Sequence, residues 1–187
     1  MWCNLLLCVV IQTERLTLRP LAMTDATALL EAAVESLPEL IPWMGWAHPQ
    51  YDIDDAEAWI TYAHEMWALN REFCFGVFEG GRYLGNCGLD RADWTLRAAN
   101  LGYWIRSSAV GAGFATEAAN GLAAWAFRVH RLHRIEVVVM VGNERSERTA
   151  LRLGATREGL ARNKLTLHGE PKDATVFGLV PADIAAG

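Results

Sequence analysis

The stretch from Asn100 to Gly154 constrains the fold more tightly than any other part of the chain. It reads as a strand over 101–106, a glycine turn over 110–113, a long helix from 114 to about 130, a strand over 134–141 and a short helix over 146–153. A glycine turn that directly follows a strand and directly opens a helix gathers unpaired backbone N–H groups at one point. The helix dipole favours negative charge there, so the pattern predicts a phosphate-bearing cofactor. A dinucleotide-binding crossover is the rival reading, but Thr116 stands where the third glycine belongs. The turn also lacks a Walker lysine.

Upstream, Leu16 and Leu18 alternate with Arg15, Thr17 and Arg19, which predicts a strand closed by Pro20. Thr24 or Asp25 can cap a first helix through Ala33. Residues 37–50 hold three prolines with Trp43 and Trp46 and read as a loop carrying large flat side chains, either core plugs or the wall of a substrate channel. Asp54 and Glu57 have capping-box spacing before a second helix over 56–69. Short strands over 73–78 and 83–89 flank Glu79-Gly80-Gly81-Arg82, a hairpin signal, and 90–98 is a polar turn or an extension of that meander. Two last strands, 155–161 and 174–180, are separated by His168-Gly169-Glu170-Pro171. This order predicts an α+β domain with one twisted mixed sheet of about seven strands and helices on both faces.

With 187 residues, the chain suits one well-buried core. We expect one domain over 13–181, an apolar arm over 1–12 and a tail over 182–187. The opening MWCNLLLCVV lacks the positive region and cleavage signal of a secretory leader, and reads as an extra strand, a packed arm or an upstream extension. The apolar runs are too short to span a membrane. A formal net charge of −5 gives no general affinity for nucleic acid. Cys3, Cys8, Cys74 and Cys87 have no metal-ligand spacing, so we expect no metal and a reduced, cytoplasmic protein.

Several segments, in order and at consistent spacing, resemble one family: Leu16-Thr17-Leu18-Arg19-Pro20, Leu101-Gly102-Tyr103-Trp104-Ile105 and Gly111-Ala112-Gly113-Phe114-Ala115-Thr116-Glu117-Ala118. They continue with Leu132-His133-Arg134-Ile135-Glu136, Asn143 with Ser146, and Leu153-Gly154-Ala155. They are similar to the acyl-CoA N-acyltransferases of the GNAT superfamily, and within it to the RimJ/RimL-type ribosomal-protein N-terminal acetyltransferases. The resemblance implies a GNAT-like fold and acetyl-CoA as cofactor. It places the cofactor on Tyr103, Trp104 and Ile105, on the turn Val110, Gly111, Ala112, Gly113, Phe114, Ala115 and Thr116, and on Asn143, Ser146 and Arg148. It further implies that the strands carrying Tyr103 and Glu136 splay apart, and that a homodimer forms. Val110 departs from the family, which has Gln or Arg there; its backbone N–H is expected to remain as a donor. Asn100 replaces an acidic residue frequent in this branch, which removes one possible base.

Acetyl transfer to an amine needs a neutral amine, a donor for the developing oxyanion and a proton for the thiolate. The resemblance points to the backbone N–H near Ile105 as oxyanion donor and to the Ser146 hydroxyl, otherwise a plain helix-start serine, as general acid. Glu136 sits among apolar strand residues, facing either the cleft as a base or Arg134 as a surface partner. Trp43 and Trp46, with Asp52 and Asp55 beside them, are candidates for the acceptor site; Asp52 and Asp54 equally suit capping of the second helix. The loop near 164–172 is a further determinant of acceptor choice. The expected reaction is acetylation of a protein or peptide N-terminal α-amine. The alternatives are a small-molecule amine acetyltransferase and a binding module without turnover.

Overall fold

The computed structural model describes residues 9–185. Cys3, Cys8 and most of the expected N-terminal arm, together with residues 186–187, lie outside the described residues. The strands are β1 (Ile11–Gln12), β2 (Leu16–Arg19), β3 (Phe73–Glu79), β4 (Arg82–Asp93), β5 (Ala98–Ile105), β6 (Arg134–Met140), β7 (Thr156–Leu167) and β8 (Glu170–Leu179). They form one eight-stranded sheet in the order β1-β2-β3-β4-β5-β6-β8-β7. The expected count of about seven omitted β1, whose two residues pair with Leu18 and Thr17. A two-residue strand shows no alternation, so its sequence carries no sign of pairing.

Helices cover both faces. On one face, α1 (Ala26–Leu40) and α2 (Ile53–Ala68) bury Leu29, Ala33, Leu37, Ala56 and Ile60 with Phe78, Tyr83 and Trp104 of the sheet. On the other, α3 (Phe114–Trp125) and α4 (Glu144–Arg152) supply Ala118, Leu122, Ala123 and Ala150, packed with Leu16, Phe75, Leu101, Ile135 and Phe177. A short last helix, α5 (Pro181–Ala185), follows β8.

Several boundaries differ from those read in the sequence. Helix α1 continues through Pro38 to Leu40, because Ser36, Leu37 and Leu40 extend its buried face and the helix ends within a turn of the proline. The cap of α2 is Asp52, not Asp54. The Asp52 carboxylate accepts from the N–H groups of Asp54 (3.0 Å) and Asp55 (3.2 Å), and Asp55 accepts from the N–H of Asp52 (3.0 Å). Residues 164–172 are no loop: β7 and β8 continue through them to a tight turn at His168 and Gly169, where both residues have positive φ.

Helix α3 ends in a π-helical turn, Ala126–His130, that closes with Arg131 in the left-handed conformation. This turn pushes His130 into an aromatic cluster, with ring centroids 4.5 Å from Phe73, 4.6 Å from Trp125 and 5.4 Å from Trp94. Among the described residues its Nε2 is enclosed without a hydrogen-bond partner. Burial lowers the His130 pKa from its ordinary value of 6.5, since a charged imidazole there loses its hydration. The unfolded chain therefore binds this proton more readily than the folded one. Stability is full above pH about 6.5 and falls as the pH drops toward the lowered folded value. Urea midpoints measured at pH 7.5 and 5.5 should show this loss, and His130→Phe should shrink the difference between them.

Candidate active site

β5 and β6 run parallel and pair through only three positions, Ala98 with Arg134, Ala99 with Ile135 and Asn100 with Glu136. Beyond that point the strands part. The Arg106 N–H donates to Leu84 O across the β4 side (2.7 Å), so strand alternation turns the peptide groups of Ile105 and Tyr103 the other way, into the gap. On the opposite lip Val138 N–H is met by the Asn100 side-chain oxygen at 3.3 Å. A groove of about 780 Å³ follows this gap, lined by Tyr103, Trp104, Ile105, Asn143, Ser146 and Arg148.

The glycine turn closes one end of the groove, where Val110, Gly111, Gly113, Phe114, Ala115 and Thr116 line it. Gly111 and Gly113 hold φ of +87° and +84°, a region that side chains with a Cβ resist. Gly113 caps α3 with no side chain to serve the first-turn N–H groups. Those donors open into the groove, so the chain's own geometry fits an anion such as a pyrophosphate. Val110 adds no donor, because its N–H is turned to Ser107 O (3.3 Å). The Ala112 carbonyl is occupied as well, by the Arg15 guanidinium at 3.0 Å.

Arg15 belongs to a latch that the sequence motifs did not disclose. Its Nε donates to Glu117 in α3 at 2.7 Å, its backbone N–H meets the same carboxylate at 2.8 Å, and its guanidinium lies 4.6 Å from the Phe114 ring. Burial pushes the Glu117 carboxyl up, but hydrogen bonds from Thr13 and Arg15 and the Arg15 charge outweigh it, and the net pKa is lowered. A second latch joins the end of β5 to α1. Glu35 pairs with Arg106 and accepts from Ser108 N–H at 2.7 Å, while Ser107 N–H donates to Ser36 at 3.0 Å. The Arg106 hydrogen bond, aided by Ser108, holds the Glu35 carboxyl down to about 2.

At the other end Asn143 caps α4, accepting from Ser146 N–H at 3.1 Å. The Tyr103 hydroxyl lies 3.2 Å from the Ser146 hydroxyl and 3.1 Å from the Ser146 carbonyl. Burial pushes the Tyr103 phenol up to about 12, so it keeps its proton throughout the neutral range. The sequence offered Tyr103 only as a strand residue of the cofactor site; its hydroxyl contact depends on how α4 docks. Arg145 and Arg152 also line the groove.

A second cavity, of about 510 Å³, lies between α1, α2 and the sheet and shares Met44, Tyr103 and Trp104 with the groove. Trp46, Tyr51, Trp59, Tyr62 and Trp104 form its walls. The four acceptor candidates separate here. Trp46 lines this cavity, whereas Trp43 lines the cofactor groove. Asp55 borders the cavity but is engaged in the α2 cap and with His48 at 3.2 Å. Asp52 serves the cap and borders neither space. Glu136 also borders neither: it is paired with Arg134 at 3.1 Å, which Glu158 also holds.

Residues 15–156, most of the chain, match the model of the acetyltransferase (GNAT) domain. The chain belongs to the GNAT acetyltransferase family. It is related to the RimJ/RimL-type ribosomal-protein acetyltransferases, and acetyl-CoA is its cofactor. A Bacillus subtilis (strain 168) protein named "Putative ribosomal N-acetyltransferase YdaF" is 30% identical over 168 residues, covering 89% of this chain and 92% of that protein. The [Ribosomal protein uS5]-alanine N-acetyltransferase of Escherichia coli (strain K12) is 26% identical over 179 residues, covering 94% and 92%. A solved structure described as "a putative ribosomal-protein-serine acetyltransferase from Vibrio cholerae" superposes with a TM-score of 0.81 at 31% identity, over 94% of this chain and 99% of that one.

In this GNAT enzyme, a Cβ added at Gly111 would meet no protein atom within 4 Å. Gly111→Asp should therefore leave a folded protein, at a strain of about 1–2 kcal/mol, while placing a negative charge in the anion cradle. Calorimetry should show acetyl-CoA binding lost. Glu117→Gln, which weakens the latch without touching the groove, should raise the acetyl-CoA Kd by about tenfold, the equivalent of one charge-assisted hydrogen bond at about 1.4 kcal/mol.

Proposed function

We propose that the protein transfers the acetyl group of acetyl-CoA to the α-amine of a protein or peptide N-terminus. The observation that carries this reading is the meeting of the two spaces at Tyr103 and Trp104. An amine entering through the aromatic cavity reaches the groove at the strand whose peptide groups face the gap. The named activities of the related ribosomal-protein enzymes support the α-amine as target. An α-amine is also the easier nucleophile, with a reference pKa near 8 against about 10.4 for a lysine side chain.

Bound acetyl-CoA supplies the thioester. The chain's residues then divide the work. The first-turn N–H groups of α3 hold the phosphates, and the backbone N–H of Ile105 is placed to stabilise charge on the acyl oxygen. Ser146, beside Tyr103, donates the proton that the departing sulfur needs. The Tyr103 phenol, which keeps its own proton, holds that hydroxyl in place. We place the enzyme in the cytoplasm as a homodimer. No helix among the described residues is long and apolar enough to cross a membrane.

A second reading has its own support. A cavity of about 510 Å³ is large enough to enclose a whole small molecule, so a small amine such as a polyamine or aminoglycoside is the alternative acceptor. A panel of N-terminal peptides, polyamines, aminoglycosides and free amino acids, read by CoA release and product mass, decides between them. Peptides with free Ser or Ala N-termini should have the highest kcat/KM. A hundredfold preference for a small amine would move the assignment to the second reading.

On either acceptor, Ser146→Ala should lower kcat by about 10²-fold, in the range of general acid catalysis, while the acetyl-CoA Kd changes little. Tyr103→Phe should lower kcat less, because Ser146 remains.

A further inference from the structure

The cavity beside the cofactor groove contains a carboxylate that no part of the site described so far uses. Asp90 lies on β4, opposite Asn100 of β5, and lines the cavity. Its Oδ2 accepts from Asn100 Nδ2 at 3.1 Å, and its Oδ1 accepts from Arg91 Nε at 2.8 Å. A Cβ built on Gly102 would stand 3.9 Å from Oδ2, so the carboxylate hangs over the one residue of β5 that lacks a side chain. Gly102 immediately precedes Tyr103, where cavity and groove join. The bare glycine leaves the path between carboxylate and junction open.

The surroundings suit a positively charged visitor. The cavity lining includes Asp55, Glu72 and Asp90 and no lysine, arginine or histidine. Asp55 is spent on the α2 cap, and Glu72 accepts the Tyr62 phenol at 2.8 Å. The titratable and charged groups around Asp90 are Arg91 on its own strand, Tyr62 on α2, Glu72 just before β3 and Cys74 on β3. Tyr62, Cys74 and Tyr103 are each raised to about 12, by burial first, and stay protonated in the neutral range. A carboxylate has about four lone-pair positions, so the two bonds from Asn100 and Arg91 leave Asp90 free to accept another N–H. Its side chain is 39% exposed, which gives a proton a way out to solvent.

We propose that Asp90 is the carboxylate that receives the acceptor's ammonium group and takes its proton before attack. This rests on the acetyl-transfer reading given above. In the step, one N–H bond of the ammonium breaks, an O–H bond forms on Asp90, and the electron pair stays on nitrogen as the nucleophilic lone pair. Asp90 then loses the proton to water at the cavity mouth. Asn100, whose amide fixes Oδ2 and whose oxygen holds Val138 N–H, is its positioning residue.

The test is the pH dependence of kcat/KM for a peptide with a free N-terminal alanine, in the wild type and in Asp90→Asn, with putrescine as a second acceptor. At pH 6.5, where the amine is almost wholly protonated, Asp90→Asn should cost about 100-fold, a typical general-base contribution. The deficit should shrink to a few-fold as the pH passes the amine's reference value of about 8, because neutral amine is then supplied by solvent. Calorimetry should find the acetyl-CoA Kd within twofold of wild type. The exchange Asp90→Asn with Asn100→Asp keeps one carboxylate and one amide in the pair. It should recover at least tenfold of the loss at pH 6.5, and it carries the same test if the single variant does not fold. A deficit equal at every pH, or no deficit, overturns the proposal. A wild-type protein that binds acetyl-CoA but acetylates neither probe removes the acetyl-transfer reading and this inference with it.

Discussion

Everything at the active site follows from two parallel strands that pair over three residues and then separate. A sheet normally satisfies its interior peptide groups by ladder bonds, and an interior gap leaves them exposed to whatever fills it. Here the gap opens after Asn100 and Glu136, in the middle of an eight-stranded sheet. Its lower margin is sealed by a side chain, the Asn100 oxygen on Val138 N–H. Above that seal, the free edges of β5 and β6 form a slot whose width is set by the hydrogen-bonded ladders to β4 and β8 on either side.

Such a slot keeps its shape only if the segments around it cannot drift. The glycine turn is braced from the β2 side by Arg15 and Glu117, and the end of β5 is braced from the α1 side by Glu35 and Arg106. Both braces join residues far apart in sequence and both place a carboxylate against a guanidinium. Partly exposed pairs of this kind add little to global stability. Their value is geometric: each also bonds backbone groups of the segment it holds, Ala112 O in one case and Ser108 N–H in the other.

Much of this was legible in the chain and some was not, for reasons that differ by residue. The strand–glycine turn–helix order was plain because Gly111 and Gly113 mark positive φ directly, and the periodicity of α2 shows in its buried Ala56, Ile60 and Ala63. Long-range pairings carry no local signature. The Arg15–Glu117 brace cannot be read from spacing, and for Glu136 the sequence left the cleft and Arg134 as alternatives that only the folded structure separates. Asp52 and Asp54 were both open as caps of α2, Asp54 through its spacing to Glu57, and only the backbone conformation selects Asp52. The cavity wall was legible in part. Trp46 stood out in its proline-rich segment, but Tyr51, Trp59, Tyr62 and Trp104 come from three different elements and meet only on folding.

The interrupted sheet also bears on how long a molecule of this protein lasts. A ligand that binds only the folded state shifts unfolding by RT ln(1 + [L]/Kd), about 2.7 kcal/mol at a hundredfold excess over Kd. For this fold the ligand lies along the seam where β5 and β6 pair at only three positions, so its hold resists local opening there. The supply of acetyl-CoA in a cell thus sets more than the rate of turnover. A filled seam leaves the folded chain less prone to open than an empty one.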